Sequence, residues 1–112
     1  VQKRTYIKHF DGPIFFGFAA KFQQMTAVLP EVDVVILRMK NVPYIDQSGM
    51  YAIEDAIMVM QEKNIKVMLT GTQEQPKDML KQINLIPNLV SEEQMFDDFD
   101  ACIKALEDSE PT

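Results

Sequence analysis

One segment of the sequence has the residue types and the spacing for regulated chemistry. Asp46-Gln47-Ser48-Gly49 joins an apolar run to a long amphipathic segment. If that segment is a helix, its N-terminus has unpaired backbone N–H groups and a partial positive charge. The hydroxyl of Ser48 then either caps the helix or carries a phosphate that the helix terminus stabilises. We call residues 46–49 the Ser48 loop and take it as the candidate regulatory site and phosphosite.

Residues for catalysis or metal binding are sparse. His9 is the single histidine, and no cysteine or second histidine stands near it at metal-ligand spacing. The sequence has neither a P-loop nor a dinucleotide-binding glycine motif. Acidic pairs such as Asp97-Asp98 stand where helix N-termini favour negative charge. We therefore expect no enzyme activity, no metal and no cofactor.

Size and charge restrict the classes of partner. The 112 residues fit one domain. Their formal net charge of −6 disfavours nucleic acid and anionic lipid as partners. No apolar run approaches the roughly 20 residues that cross a bilayer. The lone Cys102 favours a reducing compartment. Because the chain starts at Val1 rather than at methionine, we expect it either to start inside a longer protein or to follow a processing event.

The elements that must position the Ser48 loop follow from hydrophobic periodicity and turn residues. Four strands are predicted at 5–10, 14–16, 33–39 and 65–69. Helices are predicted from Phe18, directly after Gly17, to Leu29, from about Ser48 to Lys63, and around Pro76 to Ile83. The order predicts an α/β fold with a mixed, mostly parallel sheet, an N-terminal antiparallel hairpin and about four helices.

The last element has two readings. Ser91 with Gln94 forms a capping-box pattern, which predicts a helix starting directly after Ser91. Alternatively, Met95-Phe96 is a short strand, and Asp97 caps a helix from Asp98 to about Glu107.

The helix after the Ser48 loop has apolar residues on both sides. A helical wheel places one broad apolar face toward the core, formed by Ala52, Ile53, Ala56, Ile57, Val59 and Met60. Tyr51 and Met58 fall in the middle of the polar side, and Met50 falls at its edge. We interpret Met50, Tyr51 and Met58 as an exposed surface for a partner.

Four segments resemble one known family. Residues 46–50 resemble the D-[SQ]-[ST]-G-[LM] turn of STAS domains, which occur in sulfate transporters and anti-sigma-factor antagonists. Residues 12–22 resemble the "GPLFFANAEKF" stretch of SulP-type anion permeases, and residues 71–80 resemble their "GVQEQPLKML" stretch. Residues 96–101 resemble their "IFxDFDAAL" ending, which favours the short strand at Met95-Phe96. Phe18 and Asn84 depart from the family pattern.

The resemblance implies a STAS fold over residues 1–112, with a core at about 5–106, cut from a larger membrane transporter. It further implies a non-catalytic regulatory domain at the cytoplasmic face of the inner cell membrane, soluble when isolated. The implied partners are the transmembrane region of a SulP-type transporter of sulfate or a related anion, a second STAS domain, or a cytosolic regulatory protein. The alternative is a free-standing anti-sigma-factor antagonist, in which phosphorylation at the position of Ser48 switches partners. A nucleotide-binding sensor is a third reading, because a helix N-terminus beside a loop can hold phosphate.

Overall fold

A computed structural model describes residues 4–15, 18–29 and 31–109 of the chain. The strands are β1 (Thr5–Asp11), β2 (Val34–Asn41), β3 (Lys66–Thr70) and β4 (Met95–Phe96). The helices are α1 (Phe18–Ala27), α2 (Gln47–Glu62), α3 (Glu74–Gln82), the short α4 (Leu85–Asn88) and α5 (Phe99–Ser109). The predicted α/β fold class is confirmed.

The strands form one parallel sheet in the order β1-β2-β3-β4. Strand β2 lies at its centre, with Val35 beside Tyr6 on one side and beside Val67 on the other. Its side chains alternate between two apolar clusters, so both faces of the sheet are covered. This is why the first four residues of β2, Val34 to Leu37, form a continuous apolar run rather than an alternating pattern.

The two faces of the sheet have unequal cover. The larger cluster joins β2 and β3 to α1, α2 and α3 through residues such as Phe22, Ile57 and Leu80. The smaller cluster lies on the opposite face and is closed by α5. Its buried members are Val34, Ile36, Met68, Cys102 and Leu106. Helix α2 therefore packs on the larger cluster, with the Ser48 loop at its N-terminus.

The predicted antiparallel hairpin is wrong for the residues that the structure describes. Ile14 forms a parallel bridge with Ile45 instead of pairing back onto β1. Gly12 donates its N–H to the carbonyl of Asn41 (2.8 Å), so the chain continues beside β2 in the same direction after β1. The pairing with β2 is irregular between His9 and Asp11, and the chain does not reverse at Gly12-Pro13. Phe16, the end of the predicted second strand, lies outside the described residues.

Each of the two predictions for the last segment is correct in part. The capping box between Ser91 and Gln94 exists, but it holds only a 3₁₀ turn at Glu92–Gln94. The chain then enters β4, and α5 begins after it. The side chain of Asp98, not Asp97, accepts the Ala101 N–H at 2.7 Å. The strand reading is therefore correct, with its cap one residue later.

Candidate functional site

The Ser48 loop enters α2 through a cap made by Asp46. The Oδ1 atom of Asp46 accepts the backbone N–H of Gly49 at 2.7 Å, and its carbonyl accepts the N–H of Met50 at 2.9 Å. The interpretation of Ser48 as the N-cap is wrong, because Ser48 is the second residue of the helix. Its side chain is exposed, as is that of Gln47. The hydroxyl of Ser48 therefore stands at a helix N-terminus whose capping task Asp46 already performs.

Gly49 is required by a close backbone approach. A Cβ atom at this position would lie 2.6 Å from the carbonyl oxygen of Ile14. The same carbonyl accepts the N–H of Asp46 at 3.1 Å, and Ile14 donates its own N–H to Tyr44 (3.0 Å). The segment after β1 thus packs directly against the Ser48 loop, and only glycine leaves the space for it.

A side chain from α3 fixes the loop from the other side. The side-chain amide of Gln75 accepts the N–H of Ile45 and donates to the carbonyl of Ile45, both at 3.0 Å. This pair of bonds satisfies both backbone groups of a buried residue directly before the cap. Sequence reasoning missed this role for Gln75, although the residue stands inside the "QEQP" stretch that resembles the permeases.

The segments on either side of the Ile14–Ile45 bridge present an exposed aromatic pair. Phe15 follows Ile14, Tyr44 precedes Ile45, and their ring centroids lie 5.8 Å apart. The two side chains are 48% and 44% exposed. Rings that contact each other while facing solvent keep apolar area available for a partner. Sequence reasoning missed this pair, because it placed Phe15 in a hairpin strand.

Helix α2 matches the helical wheel at two of the three proposed surface residues. Tyr51 and Met58 are each 45% exposed. Met50 is 4% exposed and belongs to the larger core cluster, so its assignment to the exposed surface is wrong. Val59, predicted to face the core, is 37% exposed.

The exposed side of α2 is acidic as well as apolar. Glu54, Asp55 and Glu62 stand among its outward residues, and the helix contains no lysine or arginine. Tyr51, Asp55, Met58 and Glu62 follow one another at four, three and four residues, so they form one stripe along the helix. This stripe, which we call the α2 stripe, offers apolar contact and negative charge together.

His9 takes part in a small polar cluster at the ends of β1 and β2. Its Nε2 lies 3.0 Å from Asp11 Oδ1, and the Asn41 amide donates to the same oxygen at 2.9 Å. The hydrogen bond from Asn41, followed by the contact with His9, lowers the pKa of Asp11. All three residues are exposed. Within the described ranges, no group of three or more His, Cys, Asp or Glu side chains is placed to hold a metal ion.

The comparisons with known proteins agree with this geometry. A family model for the STAS domain matches residues 1–102. This chain belongs to the STAS domain family. The residues of the turn that resembles the family have two roles. Asp46, Gly49 and Met50 stabilise the structure, whereas Gln47 and Ser48 face solvent.

Two related sequences are membrane transporters by name. The STAS domain is 28% identical over 92 residues to YvdB of Bacillus subtilis, named as a candidate sulfate transporter, with 80% of this chain and 17% of the relative covered. It is 25% identical over 101 residues to the bicarbonate transporter BicA of Synechocystis, with 90% and 18% covered. The chain therefore spans less than a fifth of the length of either protein.

Solved structures of similar size match nearly the whole STAS domain. The sulfate transporter family protein of Wolinella succinogenes superposes with a TM-score of 0.83 at 28% identity, covering 92% of this chain and 84% of that one. The SulP transporter STAS domain of Vibrio cholerae gives a TM-score of 0.81 at 25% identity, with 96% and 84% covered. Within the described part of this chain, no helix is both long and apolar enough to cross a membrane.

Proposed function

We propose that this STAS domain is the non-catalytic cytoplasmic regulatory domain of a SulP-type anion transporter, located at the inner face of the cell membrane. The parent transporter would carry sulfate or a related anion, in line with the names of the related sequences. One observation carries the regulatory role. The Ser48 loop is fixed by Asp46, Gly49 and Gln75, yet it leaves Ser48 exposed and without a capping task.

The free hydroxyl of Ser48 suits a charge switch. A phosphate there would add nearly two negative charges at a helix N-terminus, which favours them, with Asp46 as the opposing neighbour. Because the cap does not use Ser48, the fold would tolerate the modification while the surface changes. The alternative role as a free-standing anti-sigma-factor antagonist has less support, because the two related sequences are transporters.

The α2 stripe suits a basic partner, and we propose the cytoplasmic loops of the parent's own membrane region. Such loops are enriched in lysine and arginine. The stripe supplies Asp55 and Glu62 for these cations, and Tyr51 and Met58 for apolar contact. More than four fifths of the length of the related transporters lies outside the region that this domain matches, which leaves ample chain to supply such loops.

Anion uptake by the parent transporter tests the switch. Ser48→Glu and Ser48→Ala should differ in uptake by about fivefold or more, the usual size of a regulatory coupling. Gln47→Glu is the matched control, because it places the same charge on the neighbouring exposed residue. Both Ser48 variants transporting like the wild type would reduce the Ser48 loop to a structural turn.

A further inference from the structure

A cavity of about 350 Å³, which we call the Arg38 cavity, opens at the carboxyl ends of β2 and β3, and no residue of the Ser48 loop lines it. Arg38 and Lys40 line it from β2, Asp97 and Asp98 line it from the turn before α5, and Asp100 lines it from the first turn of α5. The volume suits a small ligand.

Arg38 lines this cavity and has an unsatisfied hydrogen-bond donor. It follows Val34 and Ile36 on the face of the sheet that α5 covers. Its Nε atom is buried and has no hydrogen-bond partner. Among the described residues, no carboxylate lies within 4.0 Å of its guanidinium. Leaving a buried donor without a partner is unfavourable, so folded proteins rarely contain one.

Contact with an aromatic ring holds the guanidinium in place. The Cζ atom of Arg38 lies 4.2 Å from the centroid of the Phe99 ring. A guanidinium stacked in this way has lost conformational freedom but keeps its edge for hydrogen bonds. That edge matches the paired oxygens of a sulfate, phosphate or carboxylate group.

The three carboxylates of the cavity oppose an anion but do not neutralise Arg38. Asp98 uses one oxygen to accept the Ala101 N–H at 2.7 Å. Asp97 and Asp100 are exposed, so solvent and salt screen their charges. They should weaken anion binding without abolishing it.

We propose that the Arg38 cavity binds a small inorganic oxyanion of the sulfate, phosphate or bicarbonate class, held by Arg38 and Lys40. The oxyanion contacts the guanidinium of Arg38 where it lines the cavity, and Lys40 adds a second cation at the same cavity. A role for this anion as a signal of its own concentration to the transporter rests on the proposed function. The binding of the anion to the domain does not depend on that function.

Calorimetric titration of the 112-residue chain with sodium sulfate, phosphate and bicarbonate tests the site, with sodium chloride at matched ionic strength as the reference. At least one oxyanion should bind saturably, and Arg38→Gln should weaken it about tenfold or more. Lys40→Gln removes an exposed cation, so it should weaken binding about threefold while leaving the fold intact. Lys66→Gln is the matched control, because Lys66 is an exposed cation on the same face at the other end of the neighbouring strand.

Removing the negative charges that face the proposed anion gives a second test of the site. The double variant Asp97→Asn, Asp100→Asn should bind the same oxyanion several-fold more tightly, because two like charges are gone. Thermal unfolding of each variant without anion separates a lost site from a lost fold. If Arg38→Gln unfolds, the Lys40→Gln and Asp97→Asn, Asp100→Asn results decide.

Three results would overturn the proposal. The first is the absence of saturable binding by all three oxyanions. The second is equal binding of chloride at the same ionic strength. The third is binding that survives Arg38→Gln and Lys40→Gln but is lost with Lys77→Gln, which would place the ion in the neighbouring cavity. Since the titration needs no transport, silent Ser48 variants in the parent would leave this result unaffected.

Discussion

Two helices of this domain begin with the same hydrogen bond, but their surroundings differ. Asp46 caps α2 through the N–H of Gly49, and Asp98 caps α5 through the N–H of Ala101, each at 2.7 Å. In both turns the aspartate bonds the residue three positions later. The first turn is enclosed by Ile14 and Gln75, whereas the second is exposed and borders the Arg38 cavity.

From this difference we expect that a cap alone does not determine how firmly a turn is held. Neighbouring chain segments decide this, because they remove space and satisfy backbone groups that would otherwise need water. The enclosed turn can present exposed residues such as Ser48 in a fixed geometry. The open turn leaves room beside it, and that room is the cavity.

Substitution of the third residue of each helix, Gly49 in α2 and Ala101 in α5, should give the largest difference in stability between the two turns. Gly49→Ala should destabilise the domain by about 3 kcal/mol, because the new methyl group meets the Ile14 carbonyl at 2.6 Å. Ala101→Gly should cost only about 1 kcal/mol, the usual difference in helix propensity. Urea unfolding measures both. A cost for Gly49→Ala no greater than that of Ala101→Gly would mean that the two turns are equally free.

Loss of the Gln75 side chain of α3 should have the next largest effect on stability. Gln75→Ala leaves the N–H and the carbonyl of buried Ile45 without partners, which should cost about 2 kcal/mol. Gln73→Ala is the control, since Gln73 is exposed and donates once, to the carbonyl of Lys40 at 2.7 Å, and its loss should cost less than about 1 kcal/mol. Thermal denaturation followed by circular dichroism compares them. Equal costs would contradict the enclosing role of Gln75.

Removal of the caps themselves should give a smaller difference. Asp46→Ala should cost about 2 kcal/mol and Asp98→Ala about 1 kcal/mol, the upper and middle of the usual range for N-caps. The larger value follows because Asp46 lies in the enclosed turn, where water replaces the lost acceptor less easily. Hydrogen exchange at the Gly49 and Ala101 amides measures each bond directly. Faster exchange at Ala101 than at Gly49 in the wild type is expected, and the reverse order would refute the comparison.

The exposed part of α2 should contribute least to stability. Tyr51→Ser with Met58→Ser should change the free energy of unfolding by less than about 1 kcal/mol, as is usual at surface positions. Met50→Ser, in the same helix but buried, is the contrasting control and should cost about 3 kcal/mol. In the parent transporter, the double variant should weaken regulation or assembly. Unfolding of the double variant would make Tyr51 and Met58 part of the core.

The sequence predicted the elements better than it predicted their neighbours. Periodicity located α2 and the exposure of Tyr51 and Met58, because these depend on residues within one helix. Met50 and Val59 were assigned wrongly, since a wheel contains no information about which other segments cover each side. Ser48 and Asp46 are both residue types that cap helices well, so the local sequence does not decide which of the two is the cap.

Pairings between distant segments account for the other failures. The hairpin prediction failed because Ile14 pairs with Ile45, a choice that depends on the position of β2 and on the space left by Gly49. The Arg38 cavity needs β2, β3 and the start of α5 together, so no local pattern indicates it. The family resemblance marked residues 71–80 and 96–101, which contribute to it, but assigned no role there.

The unequal cover of the sheet determines the order in which its two faces can be completed during synthesis. The larger cluster is composed of residues up to Val90, so its chain is available first from the ribosome. The other face keeps Val34, Ile36 and Met68 uncovered until Cys102 and Leu106 of α5 arrive. Any sheet that forms before α5 is complete would expose this apolar surface, which is a suitable target for a chaperone.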